Sequence, residues 1–216
     1  LENGDRLTRD EFERRYHAMP GVKKAELIEG EVHMPSPVSF QHHGVPDGDI
    51  AWFLKHYTVF TPGTASGGNA TVRLDTANEP QPDHTLIIEP AAGGRVVIDE
   101  DGYIAGAPEL VAEVAGSSAS IDLGRKLAVY QRNRVAEYLV WRTYDGAVDW
   151  FAFRAGRFDR LPADPADGLL KSETFPGLWL DPAALLRRDL AGVLAALTRG
   201  LASPEHAAFV RRLATT

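Results

Sequence analysis

The chain has 216 residues with 44% hydrophobic and 25% charged content, which suits one globular domain, or one domain with an appendage, large enough to bury a core without staples. Cysteine is absent, which excludes disulfides and thiolate metal sites and fits a reducing, cytoplasmic setting; no apolar run reaches membrane-spanning length, so no membrane partner is expected. The net charge of −7 counts against avid DNA binding through a basic face, yet leaves room for a local groove and for the clustered acids of a metal site.

In chain order, Thr8-Arg9-Asp10-Glu11 spells a capping box, with Thr8 as N-cap and Glu11 reaching back, and predicts a helix to about His17 that Pro20-Gly21 ends. Residues 24–28 and 31–34 flank Glu29-Gly30 and read as a tight hairpin carrying Glu26, and Pro35-Ser36-Pro37 breaks its second strand. Residues 40–57 have helical apolar spacing, irregular near Pro46 and Gly48, with His42 and His43 just ahead. Adjacent histidines point different ways and make no metal motif by themselves. Residues 57–61 and 70–74 read as strands separated by a Gly-rich loop over 63–68, which has no phosphate-binding lysine pattern. Asp83 precedes a strand over 85–89, and residues 96–98 and 103–104 bracket a hairpin with an acidic tip. Residues 137–142, 147–154 and 157–161 form a strand meander with turns at Asp145-Gly146 and Ala155-Gly156. A loop over 162–168 and an extended piece over 175–181 follow, then a short helix over 182–186 capped by Asp181 and two further helices over 189–201 and 204–214. Leu190, Val193, Leu194, Leu197 and Leu201 make a stripe that must cover the domain or contact a partner chain.

The most informative stretch is residues 108–138. An apolar strand over 109–114 carries Glu113 near its end, small residues turn the chain, and Ser120 is positioned to cap a helix over 121–133. Leu123, Leu127 and Tyr130 define the inward face of that helix, and Lys126 lies in the same stripe. A core-facing ammonium needs an anionic partner. Glu113 is the nearest by connectivity; the alternatives are snorkelling to the edge of the stripe or pairing with Asp122 one turn earlier. Asp83, Glu113 and the Val114 carbonyl are oxygen donors of the kind a hard divalent cation takes, and a lysine beside them suits phosphodiester chemistry.

ELIEGEVHMPSP (26–37), PDHTLII (82–88), GAPELVAEVAGSSASIDLGRKLAVYQRNRVAEYLVW (106–141) and FPGLWLDPAALL (175–186) together resemble the Uma-two (Uma2) family, restriction-endonuclease-like proteins of the PD-(D/E)XK nuclease superfamily. The resemblance runs over roughly residues 8–187. It implies an α+β fold, a mixed sheet flanked by helices, with a restriction-endonuclease-like domain over 1–187 and a C-terminal helical extension over 188–216. It also implies catalytic roles for Asp83, Glu113, Lys126 and Glu26, a Mg²⁺ or Mn²⁺ ion on Asp83, Glu113 and Val114, and DNA as substrate; a homodimer is a separate expectation. In the superfamily pattern the lysine lies two residues after the glutamate; here that position is Ala115, and Lys126 matches the lysine that family members carry in the following helix. His42 matches a histidine often found after the family's Ser-Pro. The chain departs from the family at Ala115-Gly116-Ser117-Ser118 and at Pro46 and Gly48. The function expected is a divalent-metal-dependent endonuclease; the alternatives are a non-catalytic module that binds nucleic acid or protein, and a metal hydrolase acting on a nucleotide.

Overall fold

The computed structural model describes residues 1–34 and 36–215; Pro35, part of the expected strand break, lies outside them. Helix α1 (Arg9–His17) starts at Thr8, whose hydroxyl accepts from the Glu11 N–H at 3.4 Å. The reciprocal half of the capping box does not form, because Arg14 and Arg15 take the Glu11 carboxylate at 2.7 and 2.6 Å. Strands β1 (Glu26–Ile28) and β2 (Glu31–His33) pair as the expected hairpin, with Glu29 and Gly30 both at positive φ as a two-residue turn of this hand requires.

A wide π-type turn, Phe40–Gly44, leads into α2 (Val45–Val59), where Pro46 sits in the first turn and loses no helical hydrogen bond. The strand expected over 57–61 is instead the end of α2: Tyr57 is buried in the core, and the Thr61 hydroxyl donates to the Tyr57 carbonyl at 2.8 Å. The expected Gly-rich loop is strand β3 (Thr64–Gly68). A Cβ on Gly68 would lie 3.1 Å from the Asp83 carbonyl oxygen and 3.2 Å from His84 Nδ1, so glycine here permits close strand approach.

The chain continues through β4 (Val72–Arg73), β5 (His84–Ile88), the hairpin β6 (Val97–Ile98) and β7 (Ile104–Ala105), and β8 (Leu110–Ala115). After β8 come α3 (Ala119–Ile121), a second π-type turn (Asp122–Lys126) and α4 (Leu127–Arg132), in place of one regular helix. Ser118, not Ser120, stands at the start. Asp122 explains the difference: its N–H donates to the Ser118 carbonyl and its carboxylate accepts from the Ser118 hydroxyl at 2.6 Å, which closes the first turn two residues early. The meander β9 (Glu137–Arg142), β10 (Ala147–Arg154) and β11 (Arg157–Arg160) follows, then β12 (Leu170–Lys171), β13 (Trp179–Leu180), and helices α5 (Pro182–Leu186), α6 (Leu190–Leu201) and α7 (Pro204–Leu213).

Six strands form one sheet in the order β11-β10-β9-β8-β5-β3, with β8 and β9 parallel and every other pair antiparallel. A parallel pair requires a crossover, and residues 116–136 supply it with the lysine-bearing helical segment. Strand β8 is buried along its whole length, so both of its faces are covered. Leu110, Ala112 and Val114 face the main core with Phe53, Trp150 and Phe175; Val111 and Ala115 face a second cluster with Tyr130 and Tyr138. Val193 and Leu197 of α6 and Phe209 of α7 join the main core, while Leu190 and Leu194 stay partly exposed. Part of the C-terminal stripe therefore packs onto the domain, against α2, α5 and β13.

The first hairpin is held by backbone bonds in both directions between Leu27 and Glu79, and the buried Glu79 side chain sits beside Glu13 and Arg73. Burial, reinforced by Glu13 and opposed by Arg73 and Arg9, pushes the Glu79 carboxyl up to about 8. Between the unfolded value near 4.5 and this folded value the native state keeps a proton that the unfolded chain has released. This contribution to stability is complete below the unfolded value and is lost as pH rises through the folded one. Urea titrations from pH 5 to pH 9 should show falling stability, by up to roughly 1.4 kcal/mol per pH unit, and Glu79→Gln should flatten that slope.

Candidate active site

The acids are placed by the register of β5 and β8. His84 pairs with Ala112, so Asp83 and Glu113 face one another across the pair. The Val114 N–H donates to Asp83 Oδ2 at 2.9 Å, and the Asp83 N–H donates to Glu113 Oε2 at 3.3 Å. Each carboxylate is thus held by the backbone of the other's strand. Asp83 lines the cavity, and its Oδ1 pairs with Lys24 Nζ at 3.8 Å.

Lys126 enters from the crossover. The π-type turn puts both Asp122 and Lys126 on its buried side, and the Tyr138 hydroxyl donates to the Asp122 carbonyl at 3.1 Å. The ammonium lies 2.9 Å from Glu113 Oε1, 3.1 Å from Glu26 Oε1 and 3.8 Å from Asp122 Oδ1. The Gln81 N–H donates to Glu26 Oε1 at 2.8 Å and fixes the hairpin acid in place. The Tyr130 hydroxyl donates to Glu113 Oε1 at 3.1 Å. The structure thus brings Asp83, Glu113, Lys126 and Glu26 together, and with Val114 they line one cavity of about 420 Å³. Lys126 pairs with Glu113 and Asp122 at once and does not snorkel.

Three carboxylates surround one buried ammonium, with Asp83 a further acid beside Glu113, and their electrostatics follow from that imbalance. Burial raises the Glu113 carboxyl well above the ordinary carboxylate range; Lys126 opposes the rise, while Asp83, Asp122 and Glu26 add to it. Burial alone would lower Lys126, but Glu113, Glu26 and Asp122 outweigh it and keep the ammonium charged. Burial would also raise Asp83; the His43 contact, the Val114 N–H and the charges of His43 and Lys24 hold it at about 2.

His42 and His43 diverge, and it is His43 that meets Asp83, at 3.5 Å, while the His42 ring rests on Tyr144. Sequence reasoning missed His43 because the geometry of a π-type turn decides which of two adjacent side chains faces inward. It missed Tyr130 as a polar partner of Glu113 by counting it only as an apolar stripe residue; a hydroxyl at that position next to a buried ion pair was the available signal.

A family model described as "Uma2: Putative restriction endonuclease" matches residues 9–183. The chain belongs to the Uma2 family. Among curated proteins none matches. The solved structures include one described as a "putative nuclease belonging to DUF820" from Anabaena variabilis ATCC 29413, with a TM-score of 0.60, 16% identity, and coverage of 84% of this chain and 98% of that one. At that identity the match shows the fold, and this Uma2 protein has the restriction-endonuclease-like architecture. Helices α6 and α7 lie beyond the matched residues.

Among the described residues no group of three or more His, Cys, Asp or Glu side chains is arranged to hold a metal. Asp83, Glu113 and the adjoining Val114 line the cavity together, and two carboxylates are a number that suits a hard cation that keeps much of its hydration. Asp83 Oδ1 is met by the Lys24 ammonium at 3.8 Å.

Removing the ammonium tests this description. Lys126→Met should leave Glu113 buried without its cation and cost about 3 kcal/mol in urea unfolding near neutral pH. Much of that loss should be recovered at pH 5, where the orphaned acids can take up protons. A gain of stability at neutral pH would show that the lysine is not held by its acids.

Proposed function

We propose that this Uma2 protein is a divalent-metal-dependent endonuclease that hydrolyses phosphodiester bonds in DNA. The observation that carries the reading is the convergence of Asp83, Glu113 and Lys126 on one cavity. The family description supports nucleic acid as the substrate class. Asp83 and Glu113, with the Val114 carbonyl, would hold Mg²⁺ or Mn²⁺; when bound, the ion supplies charge neutralisation at the scissile phosphate and a more acidic water.

The roles of the side chains follow from their protonation. Lys126 stays cationic, so it acts as a fixed charge that stabilises negative charge building on the phosphate and orients the attacking water, and it does not take up a proton. Glu26, fixed by the Gln81 N–H, holds the ammonium from the second side and borders the space for substrate. Tyr130 orients Glu113. Residues 1–187 would form the nuclease domain in this reading and residues 188–216 a helical extension seated on it, in a cytoplasmic setting.

The alternative, a module that keeps the fold only for interaction, drew on the C-terminal apolar stripe. Val193 and Leu197 turn part of that stripe into the core, which leaves Leu190, Leu194 and the surface acids as its support.

The test is manganese-supported cleavage of single-stranded and supercoiled DNA by the purified chain. Product should fall by about 100-fold or more in Glu113→Gln and Asp83→Asn, with melting temperatures checked to exclude unfolding, and chelation should abolish it. Equal product from Glu113→Gln and the wild type would refute the assignment.

A further inference from the structure

The cavity has two unlike parts. Its buried lining holds the acids and Lys126, and its exposed lining sets apolar and aromatic side chains among small polar ones such as Ser36, Ser39 and Ser117. Val38, Ile121 and Tyr144 line the cavity and are 64%, 38% and 59% exposed; Phe40, which does not line it but opens the same turn as His42, is 82% exposed. These side chains come from three separate segments brought together by polar contacts. The Thr143 hydroxyl donates to the His42 carbonyl at 2.7 Å and pins the turn before α2 to the end of β9. The His42 and Tyr144 rings then meet at 4.6 Å between centroids, tilted by 39°. Gly116, after β8, passes close enough that a Cβ there would lie 3.6 Å from Tyr144 Cε2. Large apolar side chains left in water around one opening contribute nothing to the core and mark a binding surface.

The cations around the first hairpin, which carries Glu26 to the cavity, argue in the same direction. Arg6 and Arg125 both pair with Glu31, at 3.1 and 3.2 Å, and Arg132 pairs with Glu29 at 3.4 Å. Lys24 donates to Asn69 at 2.7 Å. A duplex is held mainly through its phosphates and calls for unmatched cations along both strands. An unpaired strand offers exposed base faces that stack on aromatic rings whatever their sequence.

We infer that Tyr144, backed by His42, together with Phe40 forms a base-stacking subsite, and that the nucleic acid enters this site unpaired. The inference rests on the nuclease reading for the identity of the strand to be cut. The stacked base anchors the strand at the exposed lining, and the backbone beside it reaches the buried acids.

The experiment is fluorescence anisotropy, in chelator so that nothing is cut, with a short labelled single-stranded DNA and its blunt duplex. The single strand should bind more tightly than the duplex. Tyr144→Ala and Phe40→Ala should each weaken it about tenfold, the scale of one lost base–aromatic stack. Phe60→Ala, which removes a half-exposed ring at the other end of α2, should change nothing. These side chains are exposed, so melting temperatures should be unaltered, which separates lost binding from lost folding. Tighter duplex binding, no binding of the single strand, or wild-type affinity in both alanine variants overturns the subsite. Cleavage assays separate the two readings. Glu113-dependent cutting that Tyr144→Ala leaves intact would sink the subsite alone. Tyr144-dependent binding without metal-supported cutting would sink the nuclease assignment alone.

Discussion

The structure depends on one buried ammonium. Taking a lysine out of water costs several kcal/mol, which is offset only when close anions and good geometry replace the lost hydration. Lys126 meets that condition through Glu113 at 2.9 Å and Glu26 at 3.1 Å. Those acids come from a central strand and from the first hairpin, which are far apart in the chain. The lysine itself rides on the crossover that joins the parallel strands β8 and β9. One charge therefore fixes the hairpin, the sheet and the crossover relative to one another. The same contacts assemble the candidate site, so what holds this corner of the fold and what the site needs cannot be varied independently.

The site also resolves an apparent conflict between an acidic protein and a polyanionic ligand. With a net charge of −7 the chain cannot rely on long-range attraction. The negative charge at the site is concentrated on buried acids, and the exposed lining carries apolar and aromatic side chains with neutral polar ones. On the proposed reading, the affinity for the strand comes from stacking on the exposed lining, while the charge of its phosphate is met locally in the buried lining. Neither step requires a basic face.

Much of this was legible in the sequence, for identifiable reasons. The meander over 137–161 and the hairpin around Glu29-Gly30 were readable because period-two patterns were punctuated by turn residues. Lys126 was readable because a charge interrupted an apolar stripe. Strand β3 was hidden: its TASGG sequence has almost no β-branched or apolar character, and only the close passage of Gly68 beside His84 explains it. The start of the crossover helix was misplaced because Ser118 and Ser120 look alike until Asp122 is seen to take the hydroxyl of one. Which histidine meets Asp83 was not readable, since a π-type turn rotates neighbours by an amount that no local pattern encodes.

The position of the lysine says what such a site constrains. Ala115 lies two residues after Glu113 on the same strand face, packed against Tyr130 and Tyr138 with no exposure. A long side chain there would have to displace both rings, and its ammonium would compete with Lys126 for the same carboxylates. One ammonium can be delivered from the strand or from the helix above it, but this packing does not accommodate both. The Glu113 carboxylate responds only to where positive charge sits, and the geometry of the backbone that carries it is secondary. A lysine relocated by eleven residues in sequence can therefore occupy an equivalent electrostatic position, provided the crossover is bent to aim it, and the π-type turn at Asp122–Lys126 is the bend that does so.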